Sequence, residues 1–427
     1  MISAHFHSKH KSPLINPDLS DLEIVERKFR GHPDSLADMV AQRFSQIYIQ
    51  ESWKQFPELA NNFFPNFSAD KVTLCGASTE WEIGRYKVSR PIHALLIGKI
   101  TQLIGNVPLD VDSFFQKALS ETFAKCLGHD DALASTVRHI YGATLAGSDH
   151  DPSFYNPKSI KSLLKILSKE TKANDTVYVV AYAPLSATES LSIFLDNITA
   201  SLEFKKLFPE IGSDIKTMIR RRMKNFDLTM CLPVFPERVD NEGRYRSVLK
   251  DSTAYLHAKA LAYLKEQYGR GESVVLNLST NTKDTKDKKY YAVWGTSLSK
   301  GDIGAVGRGN RQQGFISGIR PSTNEAFPGK NPNHFAGIVF QQVAEKIAQE
   351  IFQELGFRNV VYITANNGDE LARPNSIDIL LENGVGVNGQ RIRKIISNAL
   401  DSIVEQRMAY IQRNIYAAFM KPVGYGL

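Results

Sequence analysis

Three short segments carry residue types suited to a metal-bound polyphosphate. The first is Gly31-His32-Pro33-Asp34, with Asp38 one helical turn later. Pro33 and Asp34 open an amphipathic run, so His32 stands at a helix N-terminus, where free N–H groups and the positive dipole end suit a phosphate or a leaving oxygen. Asp34 and Asp38, at i and i+4, should share one side of that helix off its apolar face and could hold Mg²⁺ as hard oxygen ligands. A plain helix cap with a surface carboxylate behind it has the same spacing.

The second segment runs Gly301-Asp302-Ile303-Gly304-Ala305-Val306-Gly307-Arg308-Gly309-Asn310-Arg311. Four glycines in nine residues let backbone N–H groups approach an anion, and two arginines three apart add forked donors that match phosphate oxygens. No Gly-Lys-Ser/Thr ends it and no Gly-x-Gly-x-x-Gly lies within it, so neither a Walker loop nor a dinucleotide fingerprint is present. A structural glycine-rich turn with surface arginines is the other reading. The third segment, Gly329-Lys330-Asn331-Pro332 with His334 behind it, places a compact cation before a helix. By itself it could equally be a surface turn. No Ser-His-Asp or Cys-His arrangement competes with this set.

The elements that must position these residues follow from periodicity. Leu36, Val40, Phe44 and Ile47 recur as one helical face across residues 34–54. Residues 72–75, 92–100, 177–183, 228–232 and 359–364 have strand character, and 274–280 and 290–297 form a β-rich pair joined by an exposed hairpin loop at 281–289. Long helical patterns cover 252–268, 335–355 and 389–420. Strands that arrive in adjacent pairs disfavour a parallel doubly wound sheet, and an α+β protein with helix-covered sheets is the economical class.

The chain has 427 residues, 42% hydrophobic and 23% charged, which is the balance of a globular protein of two or three subdomains. Its three cysteines show no metal-ligand spacing and suggest no disulfide framework. The N-terminal stretch is rich in His and Lys and lacks the apolar core of a signal peptide, and the longest apolar run falls well short of the roughly 18 residues of a membrane span. A soluble cytoplasmic protein is therefore expected, with a loosely ordered tail over residues 1–20. The net charge of +7 comes from scattered basic residues, with short clusters at Arg220-Arg221-Arg222 and 283–289, so a polyphosphate ligand accounts for it without nucleic acid.

The motifs, taken together, resemble the methionine adenosyltransferases, the S-adenosylmethionine synthetases, in their archaeal-type branch. Glu26-Arg27-Lys28 with Gly31 to Asp38 is similar to the first signature. Ala173-Asn174-Asp175-Thr176, Tyr182-Ala183-Pro184-Leu185-Ser186 and Glu189 are similar to the middle one. Gly301 to Arg311, Arg320-Pro321 and Gly329 to Pro332 are similar to the longest. The likeness spans about residues 23–380, with no clear match over 105–167.

The resemblance implies attack of the methionine sulfur on C5′ of ATP, with triphosphate released and then cleaved to pyrophosphate and phosphate, using Mg²⁺ and K⁺. It implies a unit over residues 21–427 of three intertwined α/β subdomains around a pseudo-threefold axis. Sheets would pack face to face in a homodimer, or a tetramer built from it, with the active site at the subunit interface. It would place His32 at the leaving oxygen, Arg308, Arg311 and Lys330 on the triphosphate, Asp34 and Asp38 at the metal, Asp302 at metal or substrate, and Asp175 at the methionine ammonium. His334 and Arg221 would also meet substrate.

Departures from the family pattern are local. Gly76-Ala77-Ser78, with Glu80, stands in place of a Gly-Gly-Glu; Asn225, next to Lys224, falls where a lysine is usual; Ile338 replaces another lysine; and a Gly-x-Pro element is stretched over 367–374. These changes keep two alternatives open. One is a paralogue that adenosylates another acceptor or acts mainly as a triphosphatase, and the other is a noncatalytic nucleotide-binding subunit.

Overall fold

The computed structural model describes residues 4–8, 12–60, 63–128, 134–141, 154–168, 172–269, 273–333, 335–371, 373–383 and 388–402. Its strands in the N-terminal half are β1 (Ala4–Ser8), β2 (Glu23–Lys28), β3 (Phe67–Cys75), β4 (Ser78–Glu82), β5 (Arg85–Arg90), β6 (Ile92–Ile100), β7 (Leu103–Ile104), β8 (Val107–Pro108), β9 (Ala134–Tyr141) and β10 (Val177–Ala183). There follow β11 (Lys216–Arg222), β12 (Asn225–Cys231), β13 (Val275–Thr280), β14 (Ile303–Ala305), β15 (Ile316–Ser317), β16 (Asn359–Ala365) and β17 (Ser376–Leu381). The helices are α1 (Pro33–Gln55), α2 (Val111–Leu127), α3 (Ile160–Leu167), α4 (Ala187–Ala200), α5 (Leu202–Leu207), α6 (Glu242–Tyr268), α7 (Ala336–Leu355) and α8 (Gly389–Asp401).

Three sheets organise these elements. The first has the order β14-β3-β6-β9, the second β13-β12-β11-β2-β15 and the third β1-β17-β16-β10. Most neighbouring strands are antiparallel, and among the described strands the parallel pairs are β6 with β9, β12 with β13 and β1 with β17, which makes the fold α+β. Helices α1 and α2 pack on the first sheet, α4 and α6 on the second, and α7 and α8 form the cover of the third. Each layer has its own apolar core, around Phe44, Tyr48 and Phe115 in the first, Phe226, Leu228 and Leu256 in the second, and Val343, Ile363 and Ile379 in the third.

Local sequence explains the elements next to the chemistry. Leu36, Val40, Phe44 and Ile47 lie fully buried along α1, and the helix stops at Gln55 because Phe56 precedes Pro57 and is pushed out of helical geometry. A capping box between Ser186 and Glu189 starts α4. Alternate residues Ile92, Ala94 and Leu96 of β6 face the first core.

The second and third layers are joined by buried ion pairs. Arg320 Nε donates to Glu189 Oε1 at 2.8 Å, both side chains being 0% exposed, and its other nitrogens donate to the carbonyls of Ile15 and Pro184. Beside them Glu23 accepts from Arg221 Nε at 2.8 Å and from the hydroxyls of Ser186 and Thr188.

Some sequence expectations are corrected. Residues 290–297 form no strand; they make two short 3₁₀ turns, and Trp294 and Gly295 adopt left-handed φ of 59° and 63°. Burial of Tyr291, Val293 and Trp294 in an irregular segment mimics a strand pattern, and β13 pairs with β12 instead, so 281–289 is not a hairpin loop. The N-terminal segment read as loosely ordered supplies β1 at the edge of the third sheet and buries Ile15. Helix α6 begins ten residues earlier than its apolar pattern, at an Asn241 cap. The expected helix over 389–420 is seen as α8, and residues 403–420 lie outside the described residues.

Replacing Arg320 with Met leaves the buried Glu189 without its counter-charge. We expect a loss of about 3–5 kcal/mol, read as a lower urea midpoint; a midpoint equal to wild type would deny the pair its role in joining the layers.

Candidate active site

The turn between β2 and α1 is held by partners from distant chain. Phe29 N donates to Ile215 O and Gly31 N to Ser213 O, while Thr296 Oγ1 donates to Gly31 O. His32 follows as the N-cap of α1, its Nδ1 accepting from Asp34 N at 3.2 Å. That acceptor role puts the ring proton on Nε2 and leaves Nε2 as a donor. Burial lowers the His32 pKa from 6.5 to about 4; Asp34 and Asp302 oppose the shift and Lys28 and Lys216 reinforce it. At neutral pH the ring is therefore an uncharged donor.

Asp34 and Asp38 do not stand on an open side of α1, as the sequence suggested. They are 5% and 2% exposed because the glycine-rich loop, residues 304–310, lies over them. Asp34 Oδ1 accepts from Ala305 N at 3.1 Å and Oδ2 from Lys28 Nζ at 2.9 Å. Asp38 Oδ1 accepts from Gly307 N at 2.9 Å, and burial pushes its pKa up to about 7. A Cβ at residue 304 would lie 2.1 Å from Pro33 O, so only glycine allows the loop this approach.

The loop brings Arg308 to the same place. Its Nε is 3.9 Å from Asp34 Oδ1, as His32 Nδ1 is 3.9 Å from Asp34 Oδ2, and its side chain remains 75% exposed. Lys28 Nζ also donates to Arg308 O, and Asn310 exchanges two hydrogen bonds with the backbone of Lys28. Arg311 Nη1 donates to Gly307 O at 3.4 Å. Ala326, three residues before the third segment, lies against Gly307, while Lys330 sits over the Phe335 ring and 3.3 Å from Glu325.

Sequence reasoning missed three contributors. Lys28 lies inside the first signature yet carries no motif signal as a cation. Lys216 is its cross-strand partner on β11 and pairs with Glu26 Oε2 at 2.6 Å. Asn225, where the family resemblance looks for a lysine, lies at the opposite end of the β11–β12 pair from Lys216. Asp214, fully buried, accepts from Ser297 N and Oγ, and burial raises its pKa to about 7. An Asp-x-Lys pair at the start of a strand was the available signal.

Other named residues lie elsewhere. Asp302, exposed, accepts from Ile303 N and stands within electrostatic range of His32 and Asp214. Arg221 is committed to Glu23 and to Pro17 O in the buried junction, out of reach of a ligand. Asp175 lies at the exposed start of β10, accepting from Thr176 N, with no hydrogen bond or ion pair to the His32 group. The stretched element folds back on it, since Gly368 N donates to Ala173 O and Ala173 N to Asp369 O. Ile338 is packed in the third core. His334 is outside the described residues.

Comparison with known proteins points to one family. A family model described as S-adenosylmethionine synthetase (AdoMet synthetase) matches residues 11–416. An S-adenosylmethionine synthase of Methanothrix thermoacetophila is 29% identical over 388 residues, 90% of this chain and 92% of the relative. One of Pyrococcus furiosus is 31% identical over 363 residues, 84% of each chain, and one of Thermococcus gammatolerans 30% identical over 376 residues, 87% of this chain and 88% of the relative.

Because the folded imidazole of His32 binds its proton less tightly than the unfolded one, its contribution to stability is complete above pH 6.5 and lost as pH falls towards 4. In histidine-labelled protein, the resonance missing from His32→Asn should titrate near pH 4; a midpoint at or above 6.5 would overturn the neutral-donor assignment.

Proposed function

The chain belongs to the S-adenosylmethionine synthetase family, and we infer that it is a methionine adenosyltransferase. It forms S-adenosylmethionine from ATP and L-methionine and cleaves the released triphosphate to pyrophosphate and phosphate. The observation that carries the reading is the convergence of neutral His32 and exposed Arg308 on one carboxylate, Asp34, with Lys28 and Lys216 beside them.

Triphosphate leaves with several negative charges, so donors and cations must meet charge as it develops on the C5′ oxygen and the terminal oxygens. His32 Nε2–H donates to the leaving oxygen. Arg308 and Arg311 hold the phosphates with forked donors, and Lys330 and Lys216 add compact cations. No general base is required, since a thioether sulfur attacks without losing a proton.

Among the described residues no three His, Cys, Asp or Glu side chains gather to cage a metal. The acidic groups near His32, Asp34 and Asp302, fit an ion that takes one or two carboxylates and otherwise phosphate and water, as Mg²⁺ does. Mg²⁺ bound there would neutralise charge on the bridging oxygens. For K⁺ the place to test is 76–80, and it supplies no such set, because Glu80 lies exposed on the β4–β5 hairpin opposite Lys87.

The homodimer remains part of the reading. Ile24, Met218 and Val275 are exposed on the outer face of the second sheet among the ion pairs Lys216–Glu26 and Arg220–Asp227, a mixed surface that a second copy would cover. Asp175 would then reach the methionine ammonium in a site completed across the interface, which its separation from the His32 group supports.

Full-length protein with ATP, methionine, Mg²⁺ and K⁺ should yield S-adenosylmethionine, pyrophosphate and phosphate. Arg308→Leu should lower kcat by about 10²–10³-fold. A folded protein that yields none of the three products would sink the assignment, and phosphate release indifferent to methionine would favour a triphosphatase.

A further inference from the structure

Asp34 and Asp38 are one helical turn apart, yet their surroundings give them different work. Asp34 lies among His32, Lys28 and Arg308, where a ligand would sit. Asp38 lies deeper, and its two oxygens are enclosed by the glycine-rich loop. Oδ1 accepts from Gly307 N at 2.9 Å. Oδ2 occupies the place a side chain on residue 309 would need, since a Cβ built there would lie 2.0 Å from it. The loop thus wraps the carboxylate with glycine on either side of Arg308.

We propose that Asp38 is a positioning residue that seats the Gly307–Gly309 backbone and so aims Arg308, and that it does not ligate a metal. This rests on the transferase reading of the same site. Other attachments fix the flanks of the loop: Val306 N donates to Val72 O, Ala305 N to Asp34, and Asn310 pairs with Lys28. At the centre, where Arg308 projects, Gly307 N is the amide that meets a carboxylate. Without that acceptor the centre keeps the bonds from Lys28 Nζ to Arg308 O, Arg311 Nη1 to Gly307 O and Arg308 N to Ala305 O, and the two glycines flanking the arginine let the segment shift about them. Displacement of a phosphate-binding group by about 1 Å costs on the order of 100-fold in rate.

The test uses full-length wild type, Asp38→Asn, Asp38→Ala and Gly309→Ala, each checked for folding by thermal melting. Asparagine keeps an acceptor oxygen opposite Gly307 N, so Asp38→Asn should stay within about threefold of wild-type kcat, whereas Asp38→Ala should lose about 100-fold. Gly309→Ala, whose methyl claims the space of Oδ2, should resemble Asp38→Ala. In all three the Mg²⁺ concentration for half-maximal rate should stay within about twofold of wild type. Independently of activity, hydrogen exchange over residues 305–310 should speed up in Asp38→Ala and Gly309→Ala but not in Asp38→Asn. The proposal falls if Asp38→Asn is as inactive as Asp38→Ala with a raised Mg²⁺ requirement, the pattern of a lost ligand. It also falls if exchange over 305–310 is unchanged in Asp38→Ala. An inactive wild type with the expected exchange pattern would fault the transferase reading and leave the loop seat standing.

Discussion

Asp34 is a buried carboxylate, and a buried carboxylate must be paired or hydrogen-bonded if the fold is to tolerate it. Its two oxygens take Ala305 N, from the loop after β14, and Lys28 Nζ, from the end of β2. Its own backbone N–H is donated to His32. Satisfying this one side chain therefore fastens the distant glycine-rich loop to the β2–α1 turn. The glycine-rich loop cannot lift from α1 without exposing Asp34 and Asp38 to loss of their donors. Arg308 is brought to the site by the same contacts that make the helix N-terminus acceptable in the interior.

Strand β2 is what gives that junction a fixed position. At its start Glu23 is held by Arg221, Ser186 and Thr188; near its end Arg27 donates to Asp196 at 2.6 Å and to Gly314 O; and Lys28 is bracketed by Asn310. Buried ion pairs contribute little net stability, because desolvation offsets most of the Coulombic gain, but a wrong register would leave each charge stranded. A β2 shifted by two residues would lose all of these partners together. The polar junction between layers thus reads as a device for register, and register decides where Lys28 and His32 emerge.

The fold class, α1, β6, β10 and α7 were legible because periodicity reports burial directly, and each of these elements buries a single face or lies wholly in a core. The same logic misled at 290–297, where Tyr291, Val293 and Trp294 are buried by a twice-turned segment whose task is to deliver Ser297 to Asp214. Burial was legible there and backbone geometry was not. In the site, His32, Asp34, Asp302 and Arg308 were found by motif. Lys216 was not, because its meaning comes from lying across from Lys28 in the β11–β2 register, which no local pattern encodes. Arg221 illustrates the converse: an arginine that the resemblance expects at the substrate, paired with Glu23 in the interior.

The charge arrangement bears on how the leaving group is met. Lys28, Lys216, Arg308 and Arg311 give the site fixed positive charge, and burial, reinforced by the two lysines, keeps a proton off His32. An imidazolium would add a further positive charge but would also pay desolvation in a pocket already cationic. In the proposed reaction a neutral ring, with Nδ1 tied to the helix N-terminus, would contribute direction instead: one N–H donated to the oxygen that gains charge as the C5′ bond breaks. Cations attract ATP and triphosphate alike, so they strengthen binding throughout, whereas an oriented donor is most effective when that oxygen becomes anionic. Separating the two tasks lets the site hold a highly charged substrate firmly without binding the ground state as tightly as the transition state.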